Sequence, residues 1–177
     1  MSTSIVNMER VFNFRRFVAL FGAPRTPYDA ALRDLEQGRP ERALAVFEAM
    51  LQTETSPPAR AQLENKRGVA LVRLERRAEA ASAFEAALEN APFSPALVNL
   101  GNLAFEAGAT DAAMDFYRRA VECDPQNASA HRHLALAYRR SGREPEAYES
   151  FRRARRLEVR PAGKQSRRGW PIRRSRD

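Results

Sequence analysis

SPALVNLGNLAFEAGATDAAMDFYRRAVECDP, residues 94–125, reads as two amphipathic helices joined by a short turn. Ser94-Pro95 opens the stretch with an N-cap residue followed by proline at the first helical position, where a missing N–H costs nothing. Gly108 sits at the turn, where a residue without Cβ ends a helix most easily. Gly101, Ala113 and Ala120 are small where two helix backbones need to approach closely, while Leu100 and Tyr117 are large enough to fill the space between hairpins.

The same pattern recurs on both sides. Gly68, Ala80, Phe84, Ala87 and Pro92 stand 33 residues before Gly101, Ala113, Tyr117, Ala120 and Pro125. Leu134, Gly142, Ala147, Phe151 and Ala154 stand 34 residues after Leu100, Gly108, Ala113, Tyr117 and Ala120. Upstream, Gly38, Ala43 and Phe47 keep the mutual spacing of Gly108, Ala113 and Tyr117. A period of this length marks an array of helical hairpins, here four units at about 24–57, 61–93, 94–127 and 128–160.

On these residues the chain resembles the tetratricopeptide repeat family, over about three quarters of its length. Arg67 in the second unit and Met50 in the first depart from the pattern, standing where a Leu and a small Ala are usual. The resemblance implies an all-α fold, a right-handed α-solenoid of about four hairpins over residues 24–160. Units of this kind bury their apolar faces only by stacking, which leaves a concave surface as the expected binding site.

Transferred by register, the family's inner-face positions fall on Gln62, Asn65, Lys66, Val69 and Arg73 in the second unit. They fall on Val98, Asn99, Asn102, Phe105 and Glu106 in the third, and on Ser129, Arg132, His133, Leu136, Arg139 and Arg140 in the fourth. Amides at Asn99 and Asn102 can bond a peptide backbone, and the arginines favour carboxylates, so an acidic peptide segment of a protein partner is the expected ligand. The set that clamps acidic chaperone tails in some family members is absent: Val69, Ser129 and His133 stand where it needs Asn, Lys and Arg. The implied role is a non-catalytic scaffold or adaptor.

Charge and hydropathy single out the two ends. The net charge of +8 is carried by residues 152–177, which hold eleven Lys or Arg against Glu158 and Asp177. Tail residues 161–177 are expected to be irregular, because Pro161, Gly163, Gly169 and Pro171 interrupt them, and Arg167, Arg168, Arg173 and Arg174 surround Trp170 there. Such a segment suits an acidic protein surface, anionic lipid or nucleic acid, or serves solubility alone. At the start, residues 1–23, an amphipathic helix is expected over about 5–22, with Phe14, Phe17 and Phe21 on one apolar stripe and Phe12 on a second. It caps the first hairpin, or it contacts a partner, a membrane-embedded complex or a membrane surface. These ends carry the alternative role, a peripheral subunit or assembly factor of a large membrane or ribonucleoprotein complex.

No catalytic, cofactor-binding or metal-ligating constellation is present. The only histidines, His131 and His133, lie two apart on one expected helix and so point to different faces. His131 holds a packing position, and His133 is expected at the surface. The apolar run Phe17 to Phe21 after Arg15-Arg16 is stopped by Pro24, too short to span a bilayer. A single cysteine, Cys123, allows no internal disulfide and fits a cytoplasmic, reducing setting; its side chain is expected to be a small buried hydrophobe.

Overall fold

The computed structural model describes residues 26–159. The expected N-terminal helix with Phe12, Phe14, Phe17 and Phe21, and the tail with Arg167, Arg168, Trp170, Arg173 and Arg174, lie outside them. Among the described residues there are eight helices and no strand: α1 (Pro27–Glu36), α2 (Pro40–Thr53), α3 (Pro57–Arg73), α4 (Arg77–Asn90), α5 (Ser94–Glu106), α6 (Thr110–Cys123), α7 (Ala128–Arg140) and α8 (Glu144–Val159). The chain divides within α5 into two compact units, the first ending at Ala96 and the second beginning at Leu97.

Local chemistry explains the helix starts. Thr26 and Asp29 form a reciprocal capping box at α1: the Asp29 N–H donates to Thr26 Oγ1 at 3.1 Å and the Thr26 N–H donates to the Asp29 carboxylate at 3.1 Å. Asn127 caps α7 by accepting the Ala130 N–H at 3.1 Å. Ser94 is the first residue of α5, which places Pro95 second, still within the turn whose N–H groups have no helical acceptor.

The first helix of every hairpin ends in the same way. The N–H groups of Arg39, Arg76, Ala109 and Arg143 each return to the carbonyl five residues earlier, at 2.8, 3.0, 2.9 and 2.9 Å, closing Schellman turns. These turns need a left-handed residue. Gly38, Gly108 and Gly142 supply it in three hairpins, but in the second Glu75 is forced to φ 59°.

In the second and third hairpins the core forms where an aromatic ring enters a gap left by glycine. A Cβ added at Gly68 would stand 2.4 Å from the Phe84 ring, and one at Gly101 would stand 2.4 Å from the Tyr117 ring. Gly101 therefore admits a ring, not the backbone-to-backbone approach expected of it. Phe84 and Tyr117, with Phe47, are the largest fully buried side chains, and Ala43, Ala80, Ala113, Ala87 and Ala120 beside them are wholly covered.

Arg67, the departure from the leucine pattern, has a partner one turn away. Its guanidinium lies 2.9 Å from a carboxylate oxygen of Glu64, which is buried to 6% exposure and has no aligned hydrogen bond there. Burial raises the Glu64 carboxyl above its ordinary range, against the pull of Arg67 and Arg60. The third unit has Leu97 and Leu100 at the equivalent places, so one apolar pair has been exchanged for one ionic pair. Cys123 departs from expectation as well. At the last position of α6, beside Asp124, it is exposed.

Two outcomes follow. Glu75→Gly should relieve the left-handed strain and raise unfolding free energy by about 1 kcal/mol, measured by urea denaturation. Arg67→Leu alone should cost about 3 kcal/mol by stranding Glu64, and the Glu64→Leu/Arg67→Leu double variant should recover that loss; equal stability of the single and double variants would contradict the pairing.

Candidate functional site

The register-derived positions fall in both compact units, described in turn. In the first compact unit Asn65 is buried at 5% exposure in α3 and Val69 is half-buried. Arg73 donates from Nη1 to the Leu35 carbonyl at 2.5 Å, satisfying the last turn of α1. Arg140 repeats that tie in the second unit, where Nη1 donates to the Phe105 carbonyl at 3.0 Å and closes α5. Two arginines expected to meet a ligand thus also hold helix ends. The second also lies over the Phe105 ring, 4.7 Å from its centroid.

In the second unit, α5, α6 and α7 enclose a pocket of about 240 Å³, lined by Asn102, Phe105, Glu106, Tyr117, His133 and Leu136. Five of these were expected on the inner face. Tyr117 was not, having been assigned to packing alone. It does both: its ring fills the gap at Gly101, and its hydroxyl donates to Asn102 Oδ1 at 2.8 Å. The signal in the sequence is the tyrosine itself, since the second hairpin has Phe84 at the same place and a hydroxyl adds nothing to a purely apolar contact.

Those bonds determine what the pocket offers. With its oxygen turned to Tyr117, Asn102 keeps its amide N–H groups as donors. His133 Nδ1 lies 2.7 Å from the Ser129 carbonyl, which fixes it as a donor and leaves Nε2 as an acceptor in the neutral ring. The His133 and Tyr117 rings stand 5.6 Å apart. Phe105 and Leu136 provide apolar walls, Glu106 a carboxylate and Arg140 a cation at the rim. Burial and the nearby Glu106 charge push the Tyr117 hydroxyl up to about 12.

The other expected site residues lie elsewhere. Asn99 is half-buried on α5, outside the pocket lining. Arg132 forms an ion pair with Glu158 of α8, and Arg139 lies over the Phe151 ring at 6.0 Å. His131 is buried, with Nε2 3.1 Å from the Pro125 carbonyl, as its packing position requires. His133, expected at the surface, is half-buried because Tyr117 stands against it. Among the described residues no three His, Cys, Asp or Glu side chains gather as a metal site, and no helix is long and apolar enough to cross a membrane.

Comparison with known proteins bears on the whole array. A tetratricopeptide repeat family model matches residues 28–95 and 65–128, and a second tetratricopeptide repeat model matches 116–149. No curated protein sequence matches the chain. Among solved structures, a crystal structure of MamA is similar at 18% identity over 89% of this chain and 96% of that one, with a TM-score of 0.62. MamA 41-end from Desulfovibrio magneticus RS-1 is similar at 19% identity over 89% and 97%, with a TM-score of 0.61. At these identities the likeness concerns the fold.

Tyr117 carries the pH prediction. An ordinary tyrosine in the unfolded chain ionises near pH ~10, so the stability due to the neutral, buried hydroxyl is present below that and is lost as pH rises toward about 12. Tyr117→Phe should cost about 1 kcal/mol at pH 7 and flatten the alkaline fall in stability, measured by denaturation between pH 8 and about 12.

Proposed function

The chain belongs to the tetratricopeptide repeat family, and we propose that it is a scaffold or adaptor that takes an extended, acidic peptide segment of a protein partner in the α5–α7 pocket. A role in protein–protein interaction is what the repeat array serves. The observation that carries the finer reading is the pairing of donor and acceptor between Phe105 and Leu136. The Asn102 amide can give a hydrogen bond to a peptide carbonyl, and His133 Nε2 can receive one from a peptide N–H. One apolar side chain fits between the two walls. The guanidiniums of Arg140 and Arg139 are held over aromatic rings, which orients them without cancelling their charge. Both favour carboxylates on the bound segment.

A peptide array of extended acidic sequences, probed with the full chain, tests this reading. For sequences that bind, Asn102→Ala and Arg139→Glu should each weaken affinity by about tenfold, which corresponds to about 1.4 kcal/mol, with helical content unchanged by circular dichroism. Equal binding by the wild type and both variants would place the peptide site elsewhere.

A further inference from the structure

The second helix of a hairpin has a face that meets the helix following it. In α2 that face is Leu44, Phe47 and Leu51, all three buried where α3 packs against it. In α6 the same places hold Met114, Tyr117 and Val121, the first two buried and the third half-buried, with α7 packed against the helix. In α8 they hold Tyr148, Phe151 and Arg155, and no described helix follows. Tyr148 is accordingly 67% exposed, where Leu44 and Met114 are at 6% and 5%. Phe151 is only half-buried, with Arg139 over its ring. Val159, three helical turns beyond Tyr148 and so on the same face, is the other large apolar side chain exposed among the described residues.

The charges on this face decide what can cover it. Arg155 stands where Leu51 and Val121 are apolar, so whatever packs there must offer its guanidinium an aromatic face or a carboxylate. Glu144 opens the same face, one turn before Tyr148. Arg143 with Glu146 and Arg152 with Glu149 are matched along α8 itself, which leaves Glu144 and Arg155 as the charges to be met from outside.

We propose that α8 pairs with α8 of a second copy of the chain, antiparallel about a two-fold axis between Phe151 and Arg152. That axis sets Tyr148 opposite the second copy's Arg155 and Glu144 opposite its Val159, and the symmetry makes both contacts twice. Each Arg155 guanidinium then lies on a Tyr148 ring with a Glu144 carboxylate one turn away. One helix thus supplies both halves of the contact it needs, which is the argument for a second copy over an unlike partner. A parallel pair would set Arg155 against Arg155 and Glu144 against Glu144. Antiparallel helices also align their dipoles favourably. The face lies outside the peptide pocket, which α5, α6 and α7 line, so the inference does not rest on what that pocket binds.

A single pair of helices about 24 Å long makes a small interface, and association in the micromolar range is expected. Sedimentation equilibrium of the full chain between about 1 μM and about 500 μM should show monomer converting to dimer. Glu144→Arg and Arg155→Glu each change an exposed side chain, so both variants should keep the wild-type helical content by circular dichroism. Each alone sets like charges against each other across the axis and should weaken association by at least about tenfold. An equimolar mixture of the two should dimerise again, because the new arginine of one variant faces the new glutamate of the other while the native pair forms at the opposite end. Three results would overturn the proposal: a wild type that stays monomeric throughout, single variants that dimerise as tightly as the wild type, or a mixture that associates no better than its components.

Discussion

The described structure depends on one contact made in both the second and the third hairpin: an aromatic ring of a second helix laid against a glycine of the first. Phe84 on Gly68 and Tyr117 on Gly101 leave no room for even a methyl group. A ring brings far more apolar area into the hairpin than the small residues around it, and only the missing Cβ allows it to enter. The buried alanines on both sides follow from the same constraint, since helices this close admit nothing larger.

That contact also leads from packing to binding. In the third hairpin the ring is a tyrosine, and the hydroxyl that its edge carries out of the core reaches Asn102. Orienting this amide turns a half-buried polar side chain into a fixed donor, while the Ser129 carbonyl gives His133 the opposite polarity. The pocket is therefore a by-product of how the hairpin closes. Arg73 and Arg140 have the same double character, since each satisfies the carbonyl end of an earlier helix while remaining charged.

Where the repeat pattern is broken, the structure shows compensation rather than looseness. Arg67 in place of leucine is matched by Glu64 in place of a second apolar residue. Glu75, taking the left-handed position that glycine holds in the other three hairpins, keeps the same turn hydrogen bonds and carries backbone strain instead. The first departure could be recognised in the sequence, but its remedy could not, because one member of an ionic pair does not reveal which neighbour will be turned toward it.

The sequence by itself determined the hairpins, their number among the described residues and their register. Helical period, small residues at fixed intervals and turn glycines are local properties, and local chemistry is enough to read them. It also placed Asn102, Phe105, Glu106, His133 and Leu136 on one face. Only the tertiary structure decided which of those faces meet. It added Tyr117 to the pocket, drew Arg132 away to Glu158 and left Asn99 outside. The physical reason is that a side chain's partner is set by rotamer and by the neighbouring helix, and neither can be read from spacing along one helix.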